Sequence, residues 1–286
     1  MNPHDKLPID PPAAAVRPVA VIDIGTASIR LAIAEIQPGG KIRNLETLSQ
    51  AVNLGRDTFT RGSISKGTIE NCVQVLRTYR QVMLENQIDR PEQVRVVATS
   101  AVREASNRLA FLDRIYIGSG FQVEPLDEAE VNRITYLSIQ PLVAGDPALS
   151  AVETIVAEVG GGSTELLVIR GGDVVFSQTY RLGSLRLRET LEALQAPVVK
   201  VRNIMETQIQ RTIDDIADSV PREGAIELLA LGGDVRFAAS QLVPDWDASR
   251  LARIPIKALE SFTNKILAQS EDRLVRKYRL SFPEAE

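Results

Sequence analysis

The chain has 286 residues, with 33 Lys and Arg against 37 Asp and Glu and 44% hydrophobic residues, enough for one large or two ordinary globular domains with buried cores. Its mildly acidic balance argues against nucleic acid or an anionic membrane as a partner, so an anionic ligand has to be drawn by local groups. No apolar run reaches the roughly 18 residues of a membrane span, and the Pro-rich, polar stretch 1–17 lacks a signal-peptide pattern, so it is read as a disordered tail and the protein as cytoplasmic.

Residues 18–54 read as an antiparallel meander of three strands, Pro18–Asp23, Ile29–Ile36 and Ile42–Asn53. From Lys66 to Gln87, Ile69, Val73, Leu76, Met83 and Leu84 recur at helical spacing. Cys72 lies on that stripe and is expected to be a buried structural thiol. As the only cysteine it rules out an internal disulfide and a thiolate–zinc cluster. Val94–Ala98 reads as a buried strand, Ala101–Ser106 as a loop, and a helix is expected from Asn107 to a cap at Gly118. Phe121–Leu126 is another strand, and Asp127 reads as the N-cap of a helix ending near Gln140, before Pro141. The second half repeats this order: strands 153–159, 164–170 and 173–182, a helix 197–217, strand Ala225–Leu231, the turn Gly232-Gly233-Asp234, then more helix. Two such units make a duplicated α/β architecture with a cleft between them, divided into 18–140 and 141–286.

The duplication is sharpest at two hairpins. Val19–Asp23 leads into Gly25-Thr26-Ala27-Ser28 and back through Ile29-Arg30-Leu31. Ile155–Glu158 leads into Gly160-Gly161-Gly162-Ser163 and back through Thr164-Glu165-Leu166. Glycine-rich turns can surround a phosphate with backbone N–H groups. Each alone reads equally as a hairpin needing glycine at positive φ, but turn chemistry does not require a carboxylate before both. The sole histidine, His4, lies in the tail, which removes Ser-His-Asp, phosphohistidine and His-rich metal chemistry. Carboxylates, arginines, backbone amides and a hard metal remain.

These residues resemble the exopolyphosphatase and guanosine pentaphosphate phosphatase family of the actin and hexokinase superfamily. The first turn is similar to its Asp-x-Gly-Ser-Asn-Ser-x-Arg-Leu opening. Ala98–Asn107 is similar to its Ala-Thr-Ala/Ser-Ala-x-Arg-x-Ala-x-Asn segment, Gly160–Leu166 to its Gly-rich motif, and Leu182–Leu187 to its Gly-Ser-Val-Arg-Leu. The resemblance implies duplicated ribonuclease H-like (actin-like ATPase) domains with a central cleft. It also implies release of terminal phosphate from polyphosphate or a guanosine polyphosphate, and Mg²⁺ as cofactor. Phosphate would be bound by Gly25, Thr26, Ser28, Arg30, Arg103, Gly161, Gly162, Ser163, Thr164, Gly232 and Gly233, with Arg186 and Arg236 as further cations. Asp23 and Glu158 would hold the metal. Aligning Arg133–Tyr136 with the family's Arg-Leu-Ile-Tyr places Glu130 on an essential glutamate, with Glu165 as a second catalytic carboxylate. On spacing alone Glu130 reads as part of a capping box with Asp127, Glu165 as an exposed strand end, and most arginines as solvated.

The sequence departs from the family at the site. Thr26-Ala27 stands for Ser-Asn, Glu158 for Asp, Val131 for a second glutamate and Asp234 for Thr. These departures keep two rivals in view: a catalytically impaired polyphosphate or (p)ppGpp sensor, and an actin-like or sugar-kinase-like ATPase. Glu271–Glu286 resembles a family segment normally followed by another helix and strand, so the second domain is expected to be truncated. The resemblance leaves open whether the chain acts alone or as a homodimer.

Overall fold

The computed structural model describes residues 16–196, 198–220, 224–248 and 250–285. His4 and nearly all of the expected tail lie outside them. The chain packs as two units, one running to Glu227 and one covering Leu228–Glu286, so both glycine hairpins belong to the first; residues 140 and 141 lie within one helix of it.

The first sheet holds β1 (Arg17–Ile24), β2 (Ser28–Ile36), β3 (Ile42–Ala51), β4 (Val94–Ala98) and β5 (Glu124–Pro125), in the order β3-β2-β1-β4-β5. The meander β1–β3 is antiparallel and β4, apolar except for the exposed Arg95, joins β1 in parallel. Alternate residues of β1 and β2, including Ile22, Ile24, Ile29 and Leu31, are buried in a core closed by α2 (Lys66–Glu85). Ser65 caps α2, its hydroxyl accepting from Thr68 N–H, and Tyr79 reaches back to donate to the Ile29 carbonyl at 2.8 Å. Cys72 is buried in this core.

Five local expectations are corrected. Instead of reaching Asn53, β3 stops at Ala51 and a helix α1 (Leu54–Arg61) follows. Within the expected loop, Ser100–Glu104 forms a short helix α3. The cap of α4 (Arg108–Ser119) is Gly120, at φ 78°, whereas Gly118 lies inside the helix against Val73. Helix α5 (Glu128–Gly145) runs through Pro141, because Asn132, Thr135, Ile139 and Val143 continue one buried face past it. The strand expected over 121–126 is reduced to β5, where Pro125 cannot extend the ladder.

After α6 (Pro147–Ser150), the second meander β6 (Glu153–Val159), β7 (Thr164–Arg170) and β8 (Asp173–Tyr180) repeats the order and antiparallel sense of β1–β3. Leu166, Val168 and Tyr180 form its core with Val220. A helix absent from the sequence reading, α7 (Ser184–Ala193), follows β8, then α8 (Val198–Ser219) and β9 (Ile226–Leu231). In the second unit, α9 (Gly233–Leu242), α10 (Ile256–Leu267) and α11 (Glu271–Tyr278) meet through the rings of Phe237, Phe262 and Tyr278, followed by α12 (Phe282–Ala285).

Candidate active site

The two hairpins are closed in the same way. Gly25 N–H donates to the Ser28 carbonyl at 3.0 Å, and Gly160 N–H to the Ser163 carbonyl at 2.9 Å. A helix or strand end then holds the carbonyls of each turn from behind. At the first turn Thr26 C=O accepts from Gly55 N–H (2.8 Å) and Ala27 C=O from Val52 N–H (2.9 Å). At the second, Gly160 C=O accepts from Ser184 N–H (3.1 Å), Gly161 C=O from Arg186 N–H (2.8 Å), and Gly162 C=O from Arg186 Nε (2.6 Å). A planar trans peptide sets its N–H antiparallel to its C=O. The N–H groups of Gly161, Gly162 and Ser163 therefore point away from α7. Among the described residues none of the three donates to a protein acceptor, and a row of free amides of this kind is able to receive an anion.

The turns touch. A Cβ on Gly161 would lie 3.4 Å from Thr26 Cβ, and one on Gly162 would lie 2.2 Å from Ser100 Oγ and 3.0 Å from Phe59 Cζ. Buried Thr26 and Ser100 share a hydroxyl contact of 3.3 Å. Residue 162 has to be glycine for β1–β2, α3 and the second turn to come this close.

Equivalent positions beside the turns carry the carboxylates. Asp23 lies opposite Arg30 in the β1–β2 ladder, and Glu158 opposite Glu165 in β6–β7. Burial pushes the Asp23 carboxyl up, against the pull of Arg30 and with a further push from Glu158. Its Oδ1 is buried with no hydrogen-bond partner. Glu165 is buried too, and burial raises its pKa over the opposing hydrogen bond from Ser163 Oγ at 2.5 Å, while Glu158 adds to the rise and Arg103 counters it. Thr135 of α5 donates to Glu158 Oε2 at 3.4 Å. Thr164, the last residue of this turn, is buried and donates to the Leu182 carbonyl at 2.6 Å. Among the described residues no three His, Cys, Asp or Glu form a metal cluster. The orphaned Asp23 oxygen, with Glu158 near enough to raise its pKa, nonetheless fits Mg²⁺, which needs only one or two carboxylates and keeps several waters.

The comparisons with known proteins decide the family. The model of the Ppx/GppA phosphatase family matches residues 32–280. The chain belongs to that family. It is similar to exopolyphosphatase 2 of Mycobacterium tuberculosis, 27% identical over 253 residues that cover 84% of this chain and 77% of that one. The crystal structure of the Aquifex aeolicus Ppx/GppA family member shares its fold, with a TM-score of 0.71, 24% identity, and coverage of 95% of this chain and 86% of that one. So does an exopolyphosphatase from Cytophaga hutchinsonii, with a TM-score of 0.72, 19% identity, and coverage of 91% and 82%. The fold is thus the mixed α/β fold of the family's solved structures, with the two sheets and repeated meander that the sequence leads one to expect.

The other candidate residues of this Ppx/GppA chain occupy varied settings. Arg103 donates to the Leu126 carbonyl at 3.0 Å and pairs with Glu128 of α5 at 3.6 Å, and its charge also acts on Glu165. Arg30 is exposed beside Asp23. Glu130 sits in the first turn of α5, its N–H bonded to the Asp127 side chain and its carboxylate gripped by both arms of Arg133 at 2.7 Å, which holds its pKa down. Gly232, at φ 121°, and Gly233 open α9 in the second unit, with Asp234 in the first helical turn, where an acid suits the helix dipole, and Arg236 exposed. No helix of the described residues is long and apolar enough to cross a membrane. Sequence reasoning missed α1 and α7, the two helices that hold the turns. The Gly62 cap at φ 71° and the Gly183-Ser184 start were the available signals.

Proposed function

We propose that the chain is an Mg²⁺-dependent phosphohydrolase that releases the terminal phosphate of inorganic polyphosphate, or of guanosine pentaphosphate, by attack of water. The observation that carries this reading is the meeting of the free amides of Gly161, Gly162 and Ser163 with the buried, high-pKa carboxylate of Glu165 two residues on. Family membership and the likeness to an exopolyphosphatase support the substrate class.

In this reading the amides bind the terminal phosphate and stabilise the charge that builds on its oxygens. Glu165 accepts a proton from the attacking water. The new P–O bond forms as the bridging P–O bond breaks, and the shortened chain leaves. A carboxyl raised from its ordinary value of 4.5 is better matched to this task than Glu130, whose ion pair with Arg133 makes it a weaker base. The Ser163 hydroxyl orients the carboxylate. Mg²⁺ held by Asp23 and Glu158 would neutralise phosphate charge. Arg30 and Arg103 add positive potential without being required to touch the scissile bond.

Phosphate release from polyphosphate, guanosine pentaphosphate and ATP should be measured on the native chain with and without Mg²⁺. Multiple turnover on one of the first two supports the proposal. Tight binding with no turnover would establish the sensor reading instead, and turnover of ATP alone the kinase-like one.

A further inference from the structure

We propose that Arg186 is a positioning residue, oriented by Glu104, that keeps the second glycine turn facing phosphate. The proposal rests on the phosphate site described above. Arg186 looks at first like a phosphate ligand, but two edges of its guanidinium are already committed to protein acceptors. Nε donates to the Gly162 carbonyl at 2.6 Å and Nη2 to Glu104 Oε1 at 2.6 Å. The guanidinium lies 4.0 Å over the Phe59 ring, and its backbone N–H holds the Gly161 carbonyl at 2.8 Å. One residue therefore fixes two successive peptide planes of the turn. Because each N–H opposes its carbonyl, those two bonds aim the amides of Gly162 and Ser163 away from α7.

The anchor comes from the other half of the unit. Glu104 ends α3, whose first residue Ser100 abuts both Thr26 and Gly162. It accepts from Arg186 and also from Arg181. Although burial opposes ionisation, the guanidinium groups of Arg186 and Arg181 hold its carboxyl below the usual range, so the clamp stays charged at neutral pH. The planar fork of arginine reaches a carbonyl through Nε and a carboxylate through Nη2 at once, whereas lysine carries all its donors on one nitrogen and cannot set them at those two separate positions. The α3 clamp thus ties the geometry of the second turn to the first hairpin.

The test follows the backbone amide signals of Gly161, Gly162 and Ser163 in the ¹⁵N-labelled full chain during titration with tripolyphosphate, without Mg²⁺ so that the probe stays intact. In the native protein all three signals shift. Arg186→Lys, with circular dichroism and Tm near native, weakens the affinity read at these amides by about tenfold, the loss expected for one charge-assisted hydrogen bond. Glu104→Gln, which keeps the arginine and the side-chain volume, weakens it by about threefold by loosening the anchor. That milder variant carries the test if Arg186→Lys does not fold. Native affinity in a folded Arg186→Lys or in Glu104→Gln overturns the proposal, as does tripolyphosphate binding that leaves the three amides unmoved. Amides that respond as expected in a protein without turnover support the positioning role and refute only the hydrolytic reading.

Discussion

Gly162→Ala is the most demanding perturbation of the site. The added methyl would lie 2.2 Å from Ser100 Oγ, 3.2 Å from Ser100 Cβ and 3.0 Å from Phe59 Cζ. Rotation of the Ser100 hydroxyl removes the worst clash but breaks its 3.3 Å contact with Thr26. The other two contacts remain tighter than the roughly 3.5 Å of ordinary carbon packing, and Phe59 is held under Arg186. The turn and α3 have to separate by several tenths of an ångström or more. Overpacking of this kind costs about 1–3 kcal/mol, a fall in Tm of roughly 2–5 °C for a chain of this size. A displacement approaching 1 Å at reacting groups costs about a hundredfold in rate. The assays are phosphate release from polyphosphate with Mg²⁺ and scanning calorimetry, with Gly67→Ala as control. A Cβ on Gly67 meets nothing within 4 Å, and its alanine favours α2 by up to about 1 kcal/mol. Adding Ser100→Gly to Gly162→Ala removes two of the three close contacts and should restore part of the rate. A Gly162→Ala protein with native Tm and native turnover would refute the close meeting of the two turns.

Further outcomes concern the titrating groups. Glu165→Gln is expected to lower turnover by at least about a hundredfold, within the range for removing a general base, while Glu130→Gln costs less than about tenfold; the opposite order would move the base to Glu130. Asp23 has a raised pKa, so its contribution to stability is fully present below the ordinary 3.8 and is lost as pH rises through the raised value. Asp23→Asn should therefore raise Tm at pH 7 with the gain vanishing toward pH 3, while raising the Mg²⁺ needed for half-maximal turnover; an unchanged or lower Tm at pH 7 would contradict the burial cost. Cys72, buried and with its thiol pushed up to about 12, should be inert to thiol reagents until the protein unfolds, and rapid labelling of the native chain would show otherwise.

The turns were legible because glycine after an apolar strand, preceded by a carboxylate, is a local pattern that appears twice. The helices behind them were not legible for a physical reason. Helix α1 buries Gly55, Asp57 and Thr58 as well as Leu54, so it lacks the apolar stripe by which sequence reveals a helix. What holds it is polar and distant in sequence: Thr58 donates to the Ala101 carbonyl at 2.9 Å and Asp57 accepts from Ser65 N–H at 2.9 Å. Pro141 misled in the opposite direction, since burial of Ile139 and Val143 on either side outweighs the local preference to stop. At the site, residue types marked Asp23, Glu158 and Glu165, but only the ladder register shows that Asp23–Arg30 and Glu158–Glu165 are equivalent pairs. The engagement of Arg186 by Glu104 joins residues 82 positions apart and leaves no local signal.

The most direct test of the central claim is a ³¹P NMR time course of long-chain polyphosphate with Mg²⁺, run with the native chain and with Glu165→Gln. The account predicts orthophosphate growing over many turnovers at the expense of the chain in the native protein and essentially none in the variant. Equal rates in the two proteins, or a native protein that binds polyphosphate and releases no orthophosphate, would contradict it.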